Sequence, residues 1–265
     1  MIARHGLEAR RALGQHFLLD ANLTARIVRA AGPLGLRHVV EVGPGPGGLT
    51  RALLDAGAAS VTAVERDARA VAALAELAEE TGRLRVIAGD ALALDLATLA
   101  PPPRQIVANL PYNIASPLLV GWLRQAAAWE RLTLMFQLEV AERICAVPGT
   151  TSYGRLGVLA QWVATPSLRL RLAPEAFVPP PRVWSAVVVL EPHPAQPEPA
   201  LFAAMERLTA AAFGQRRKML RGALRALDGE ALLNAAGIDP VRRAETLTVA
   251  EFDRLARHLA GREGG

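Results

Sequence analysis

Hydrophobic and polar positions follow two alternating patterns over roughly the first 190 residues of this 265-residue chain. Short runs rich in valine and isoleucine predict strands, and the stretches between them repeat their apolar residues with a helical period. The predicted strands are 38–43, 60–65, 83–89, 104–110, 132–137, 167–173 and 183–192. Strands and helices that alternate in this way favour an α/β fold with a mostly parallel sheet.

The predicted helices begin at recognisable capping residues. Asp20 is a suitable N-cap for a helix over 21–31, and Ser116 followed by Pro117 predicts another helix start. Further helices are expected over 47–57, 67–80 and 138–146, and the turn-rich segments 148–154 and 174–182 are expected to be loops.

A proline-rich segment divides the chain. Four prolines fall within residues 192–199, and beyond them the pattern is helical over 200–213, 216–226, 229–236 and 248–260. We therefore predict an α/β domain of residues 1–193 and a small all-helical domain of residues 194–265.

Composition excludes several protein classes. Hydrophobic residues make up 51% of the chain, enough for a core, and the longest apolar run, 183–190, is too short to cross a bilayer. Arg4, Arg10 and Arg11 are followed by no apolar stretch, so no signal peptide is expected. A single cysteine, Cys145, excludes an internal disulfide, and the five histidines show no metal-ligand spacing. We expect a cytoplasmic protein without a metal, and nothing demands more than a monomer.

A glycine-rich turn follows the first predicted strand. Residues 41–48 read EVGPGPGG, in which Gly43, Gly45 and Gly48 satisfy the GxGxxG pattern, and Glu65 ends the next strand. Glycines let the backbone approach a ligand, and a carboxylate at that strand end can bind both hydroxyls of a ribose. The pattern suits any nucleoside-bearing cofactor; the alternative is a tight turn without a ligand. Asp90, at the end of the third strand, either accepts from an adenine amine or caps a helix.

The sequence Asn109-Leu110-Pro111-Tyr112 ends the fourth predicted strand, at the edge where open α/β sheets bind ligands. The Asn109 side-chain oxygen and the Leu110 carbonyl can both accept from one exocyclic amine, while Pro111 stiffens the turn. Tyr112 offers a flat face on which a base can stack. The alternative is a turn with a core tyrosine.

The order of EVGPGPGGLT, VERD, GDAL and NLPY resembles the S-adenosylmethionine-dependent methyltransferases that act on the exocyclic amine of adenine. More narrowly it resembles the ribosomal RNA adenine dimethyltransferases, and among them the small-subunit (16S) enzymes. Segments 13–18, 148–156, 177–186 and 213–218 are also similar, so the resemblance covers about residues 10–260. Two positions depart from the family pattern: His16 stands where many relatives have asparagine, and Arg182 replaces the usual lysine.

The resemblance implies a Rossmann-like class I methyltransferase sheet that binds S-adenosylmethionine and dimethylates N6 of two adjacent adenosines near the 3′ end of small-subunit rRNA. The substrate would be that rRNA or the immature small ribosomal subunit. The implied cofactor-binding residues are His16, Leu18, Glu41, Gly43, Gly45, Gly47, Glu65, Asp90, Ala91 and Asn109. The implied catalytic residues are Asn109, Leu110, Pro111, Tyr112 and Phe177. Phe177 would clamp an extruded adenine against Tyr112; the alternative is packing beside the prolines.

Basic residues are concentrated between positions 201 and 225, a segment that contains six basic residues and a single acidic one, Glu206. The predicted RNA-binding residues are Arg216, Arg217, Lys218, Arg221 and Arg225. Helical spacing would put Arg217 and Arg221 on one face that follows RNA phosphates; the alternative is a solvated basic face. Arg4, Arg10 and Arg11 form a second, weaker candidate.

Other interpretations stay open at this point. A large-subunit rRNA dimethyltransferase would share the asparagine, proline and tyrosine, although isoleucine is more usual there in place of Leu110. A ribosome-assembly factor that keeps the fold belongs to a different class, but it need not retain Asn109, Tyr112 or the glycines. The four tryptophans, Trp122, Trp129, Trp162 and Trp184, are expected to pack in the core or between domains; the alternative is that they are platforms for bases.

Overall fold

Alternating strands and helices build a central sheet, as the pattern predicts. The computed structural model describes residues 16–262. The strands are β1 (Phe17–Leu18), β2 (His38–Val42), β3 (Ser60–Glu65), β4 (Leu84–Ala88), β5 (Arg104–Asn109), β6 (Arg131–Gln137), β7 (Ala164–Leu172), β8 (Phe177–Val178) and β9 (Ser185–Pro192). The helices are α1 (Ala21–Ala30), α2 (Gly48–Asp55), α3 (Ala68–Thr81), α4 (Tyr112–Arg124), α5 (Leu138–Ile144), α6 (Arg155–Val163), α7 (Pro199–Gly214), α8 (Leu220–Ala223), α9 (Gly229–Ala235) and α10 (Val249–Gly261).

Seven strands form the main sheet in the order β4-β3-β2-β5-β6-β9-β7. The first five are parallel, and β9 runs antiparallel to β6. The α/β prediction is therefore confirmed. Because β9 is reversed, its first residue, Ser185, pairs with Gln137 at the carboxyl end of β6. The start of β9 thus lies at the sheet edge where the parallel strands end, the edge that binds ligands in such folds.

A two-stranded ribbon brings the N-terminal segment to the same region. β1 pairs antiparallel with β8, Phe17 opposite Val178 and Leu18 opposite Phe177. The side chains of Phe17, Leu18 and Phe177 are all buried. Asp20 then caps α1, as predicted, by accepting from the backbone N–H of Asn22 and of Leu23.

Residue contacts divide the chain into two compact units. The first comprises the chain up to Ala141 together with Ser167–Pro192, and the second comprises Glu142–Pro166 together with the chain from His193 onward. The predicted division into residues 1–193 and 194–265 places 142–166 differently, and it stays a prediction. In the described part of the chain, every helix is too short or too polar to cross a bilayer.

The helix predicted to begin at Ser116 begins earlier. α4 starts at Tyr112, with Pro111 as its N-cap and Pro117 inside the helix. Pro117 has no N–H to complete the helical ladder, which normally disfavours an interior proline. Leu118, Leu119 and Trp122 are nevertheless buried beyond it, so packing of the apolar face sustains the helix.

The helix predicted over 216–226 is wrong. Residues 215–218 form a turn and bend, α8 covers only Leu220–Ala223, and Asp228 has a left-handed backbone. The backbone N–H groups of Leu220 and Arg221 donate to the carbonyls of Arg242 and Pro240, so hydrogen bonds to a distant loop replace the expected helical ladder. Arg217 precedes α8, and the argument that helical spacing puts it on one face with Arg221 therefore fails.

One helix was not predicted. α6 (Arg155–Val163) buries the four successive residues 157–160, so its apolar positions show no clear amphipathic period. β7 also begins three residues before the predicted strand 167–173. Of the tryptophans, Trp122 and Trp129 are buried and Trp162 packs against Phe202, as expected. Trp184 is 48% exposed, which is not the environment of a core residue.

Candidate active site

An open cleft lies where β2, β3 and β5 end. The backbone and side chains around it form a concave wall that is open to solvent on one side, the shape of a ligand-binding cleft. The structure brings most of the predicted site residues to its walls: His16, Leu18, Glu41, Gly43, Gly45, Glu65, Asp90, Ala91, Asn109, Leu110, Pro111 and Tyr112. Gly47 and Phe177 are not among the lining residues.

Gly45 and Gly47 show why the turn between β2 and α2 is rich in glycine. Gly45 has φ +52°, and a Cβ there would lie 2.9 Å from the Phe17 ring. Gly47 has φ +79°, and a Cβ there would lie 2.8 Å from Leu74. The backbone is left-handed at both positions, so a side chain would strain it as well as collide. Gly45 thus lets the backbone form the cleft wall, whereas Gly47 serves the start of α2.

Glu65 fastens the glycine turn to the end of β3. Its carboxylate accepts from the backbone N–H of Gly45 at 3.1 Å and from those of Arg66 and Asp67 at 2.8 Å each. Burial raises the pKa of Glu65, and the three amide donors oppose that rise. A carboxylate held in this way keeps its orientation towards the cleft.

Glu41 is a second buried carboxyl group in the cleft. Thr50 donates to Glu41 Oε2 at 2.7 Å, and the glutamate is 1% exposed. Burial raises the pKa of Glu41 to about 8, with the hydroxyl bond opposing and the nearby Glu65 charge adding to the rise. Glu41 therefore holds its proton more tightly than an exposed carboxyl group does.

Asp90 closes another wall of the cleft. Its Oδ1 accepts from the backbone N–H of Leu92 at 3.0 Å, and its Oδ2 lies 3.6 Å from Arg66 Nη1. Asp90 therefore lines the cleft, as predicted for an adenine contact, whereas the alternative of a helix cap is wrong because residues 91–94 form a turn and bend.

Asn109 has a defined orientation. Its Nδ2 donates to the backbone carbonyl of His16 at 3.0 Å. Because the amide nitrogen is used in this bond, the Oδ1 atom remains as an acceptor. Within residues 16–262 we find no other partner for this side chain. Leu110, next in the chain, lines the cleft although it is 2% exposed.

Tyr112 is held on two sides. Its hydroxyl lies 2.6 Å from Ser185 Oγ, and its ring stacks with that of His16, with centroids 5.6 Å apart and planes at 27°. The His16 Nδ1 lies 2.8 Å from the carbonyl oxygen of Pro179. Burial raises the pKa of Tyr112, and the bond with Ser185 opposes that rise. The first turn of α4, β9 and the N-terminal segment therefore fix one aromatic ring.

Phe177 does not line the cleft. Its side chain is 1% exposed and packs within the apolar core of the first unit. A clamp of Tyr112 and Phe177 on one base would require Phe177 to leave that position, so its predicted role stays a prediction.

The predicted RNA-binding residues lie in the second unit, and we call residues 216–225 the basic segment. Arg216 is partly buried and donates to the carbonyl of Thr150 at 3.2 Å. The side chains of Arg217, Lys218, Arg221 and Arg225 are exposed, and none has a hydrogen bond or ion pair within the described chain. Arg4, Arg10 and Arg11 lie outside the described residues.

Sequence reasoning missed the residues that orient the site. Thr50 contacts Glu41, Ser185 contacts Tyr112, and Arg66 contacts Asp90. His16 was predicted as a cofactor contact, but its contacts with Asn109 and Tyr112 were not. Thr50 and Ser185 stand inside recognisable motifs, but no spacing indicates which side chain a hydroxyl will meet. The described residues contain no group of three His, Cys, Asp or Glu side chains arranged to hold a metal ion.

A model of the ribosomal RNA adenine dimethylase family matches residues 6–260. The chain is 64% identical over 263 residues to ribosomal RNA small subunit methyltransferase A of Gluconobacter oxydans, covering 98% of this chain and 87% of that protein. It is 57% identical over 259 residues to the protein of the same name from Rhodospirillum rubrum, covering 97% of this chain and 90% of that protein.

Solved structures show the same likeness. A dimethyladenosine transferase from Plasmodium falciparum superposes with a TM-score of 0.76 at 25% identity, over 91% of this chain and 96% of that one. The 23S rRNA methyltransferase ErmE superposes with a TM-score of 0.66 at 28% identity, over 92% of this chain and 99% of that one. These likenesses extend over both units of the chain, and the class I methyltransferase fold is therefore confirmed.

Proposed function

The chain belongs to the ribosomal RNA adenine dimethylase family, and we propose that it transfers methyl groups from S-adenosylmethionine to N6 of two adjacent adenosines near the 3′ end of small-subunit (16S) rRNA. Methyltransferases of this family use that cofactor as methyl donor. The observation that carries the proposal is the orientation of Asn109, whose amide donates to His16 and leaves an oxygen acceptor beside Tyr112 in the cleft.

The residues of the cleft fit a nucleoside cofactor. The cradle at Gly45 has no room for a side chain, and Glu65 is held rigidly where a ribose would be recognised. Glu65 would accept from the ribose hydroxyls, Asp90 from an adenine amine, and the backbone of the glycine turn would lie against the remainder. When bound, S-adenosylmethionine supplies a methyl group on a sulfonium centre.

The acceptor side of the proposal rests on Asn109 and Leu110. An adenine N6 is a weak nucleophile because its lone pair is delocalised into the ring. If Asn109 Oδ1 and the Leu110 carbonyl accept the two N6 hydrogens in the first transfer, and one of them accepts the remaining hydrogen in the second, the amine is drawn towards a tetrahedral form with a localised lone pair. These acceptors also stabilise the positive charge that grows on N6. The methylated amine then loses its extra proton to solvent, so the chain needs no strong general base and no covalent intermediate.

Tyr112 would supply the stacking surface for the target base. His16 stacks with the ring of Tyr112, and we propose that the adenine stacks on the opposite face. The hydrogen bond to Ser185 keeps the ring from turning when the base enters. An adenosine extruded from RNA needs such a platform because it gives up stacking with its neighbours.

The small subunit is a better-supported target than the large one. Identity to small-subunit enzymes reaches 64%, against 28% to the 23S rRNA methyltransferase of similar fold. The unpaired cations of the basic segment would hold RNA phosphates. A role in ribosome assembly is compatible with this activity, because an enzyme that docks on an immature subunit can also act as a checkpoint in its assembly. We propose that the protein works in the cytoplasm as a monomer without a metal.

The deciding experiment supplies labelled S-adenosylmethionine and small ribosomal subunits that lack the adenine modification. The labelled positions are then mapped by mass spectrometry of rRNA fragments. We expect dimethyladenosine at two adjacent adenosines near the 3′ end. Label at other positions, or none while the cofactor still binds, would contradict the proposed substrate.

A further inference from the structure

Trp184 occupies an unusual position for a large aromatic residue. It is 48% exposed, although the side chain on its C-terminal side, Ser185, is completely buried. The backbone carbonyl of Trp184 accepts from the N–H of Leu138 at 2.8 Å, which fixes the main chain at the start of β9. An exposed indole on a fixed backbone is a preorganised contact surface.

The position of Trp184 is tied to the cleft through one residue. Ser185 Oγ lies 2.6 Å from the hydroxyl of Tyr112, the proposed platform for the target base. Trp184 itself is not among the cleft-lining residues, and it lies at the carboxyl edge of the sheet beside the end of β6. It is therefore next to the reaction site but outside it.

The surroundings of Trp184 have the chemistry of a nucleic-acid contact. Val183, the preceding residue, is also exposed, at 44%, so the indole continues a short apolar surface. Arg182, two residues before Trp184, is exposed and makes no hydrogen bond or ion pair within the described residues. A stacking surface beside a free guanidinium suits an unpaired base and its phosphate, and single-stranded RNA is held by this combination.

We infer that Trp184 stacks on the nucleobase next to the target adenosine while that adenosine is in the cleft. The inference rests on the proposed function and adds a second base-binding position to it. A base that loses its neighbour through extrusion has an uncovered face, and Trp184 would cover it. In a substrate with two adjacent target adenosines, this neighbour is the other target.

The first test compares Trp184→Ala and Trp184→Phe on unmodified small ribosomal subunits. Loss of one base-stacking contact should lower kcat/KM roughly 5- to 100-fold in the alanine variant, mainly through KM. Phenylalanine keeps a stacking face and should restore most of the activity. Leu36→Ala is the matched control, because Leu36 is a large apolar residue that is 82% exposed before β2. The affinity for S-adenosylmethionine should be the same in all four proteins.

The second test changes the RNA. Subunits are prepared in which the base next to one target adenosine is guanosine or uridine. The wild-type protein should methylate the remaining adenosine faster beside guanosine, because purines stack more strongly, whereas Trp184→Ala should not discriminate. Binding of the subunits should also quench tryptophan fluorescence in the wild type, and this quenching should be absent in Trp184→Phe.

The outcomes separate this inference from the proposed function. If the wild type is active and Trp184→Ala is equally active, stacking by Trp184 is wrong and the proposed function stands. If Trp184→Ala weakens binding but still discriminates guanosine from uridine, the indole contacts a ribosomal protein instead of the base. If the wild type methylates no adenosine, the proposed function itself fails.

Discussion

Polar side chains are held by hydrogen bonds in the cleft, whereas most of those in the basic segment are exposed and unpaired among residues 16–262. In the cleft, Glu65 has three amide donors, Glu41 has the Thr50 hydroxyl, and Asn109 has the His16 carbonyl. In the basic segment, Arg217 and Arg221 are exposed and unpaired within the described chain. Chemistry at one nitrogen atom needs fixed acceptors, whereas phosphates along a strand can be held by mobile charges.

This contrast predicts different sensitivities to mutation. A substitution in the cleft should strongly reduce either methyl transfer or cofactor binding, and the size of that effect should depend little on salt. A substitution in the basic segment should affect binding moderately and depend strongly on salt. The following variants test the two halves of this comparison, beginning with the largest effect.

Asn109→Ala should reduce methyl transfer roughly 100- to 1,000-fold, the range for removal of one preorganised polar group from a reacting centre. The affinity for S-adenosylmethionine should fall much less, because the lost Oδ1 faces the acceptor amine and the lost Nδ2 donates to the His16 carbonyl. Single-turnover rates and calorimetric titration measure the two quantities. Asn234→Ala, at an exposed position of α9, is the control. Unchanged turnover in Asn109→Ala would disprove the acceptor role.

Glu65→Gln should weaken cofactor binding by about 2 kcal/mol, roughly 30-fold, the range for hydrogen bonds to a charged group. The glutamine has one acceptor atom where the carboxylate has two, so the amide donors of Gly45, Arg66 and Asp67 cannot all remain satisfied. Calorimetric titration gives the dissociation constant, and Glu79→Gln, exposed on α3, controls for the charge change. An unaltered dissociation constant would refute the ribose role.

The cleft was predictable because its constraints are local. Gly45 and Gly47 need left-handed backbone, and Glu65 and Asn109 stand at strand ends that the valine-rich pattern reveals. The partners of these residues were not predictable. His16 meets Asn109 across 93 positions of the chain, and Ser185 meets Tyr112 across 73. Contacts over such distances depend on the pairing of β1 with β8 and of β9 with β6, which no motif specifies.

The basic segment shows the opposite failure. Its composition was easy to see, but its conformation depends on hydrogen bonds from Leu220 and Arg221 to residues about 20 positions later. Helical periodicity predicted a single helix because it cannot detect such competition from distant backbone groups. The amino-acid composition therefore predicted the charge of this segment, and the helical period did not predict its backbone conformation.

Glu41 tests whether burying a carboxyl group in the cleft lowers the stability of the folded chain as pH rises. Its folded-state pKa of about 8 lies above the ordinary value of 4.5, so the folded chain holds this proton more tightly than the unfolded chain. The free energy of unfolding should therefore fall as pH rises from about 4.5 to about 8. Glu41→Gln should lack this slope.

Urea unfolding at several pH values measures the difference between the wild type and Glu41→Gln. Glu80→Gln, at an exposed position of α3, should keep the wild-type slope. If the curves of wild type and Glu41→Gln run parallel across this pH range, Glu41 is ionised in the folded chain and the cleft carries no such cost.

Charge reversal in the basic segment should give the smallest effect. The double variant Arg217→Glu and Arg221→Glu should weaken RNA binding roughly tenfold at moderate salt, because two phosphate contacts are lost. The slope of log affinity against log salt should become shallower by about 1.5, since each lost contact removes about 0.7 to 0.9. Arg51→Glu with Arg85→Glu, both exposed in the first unit, makes the same charge change elsewhere. Equal slopes in the two double variants would mean that the basic segment responds only to net charge and is a solvated face.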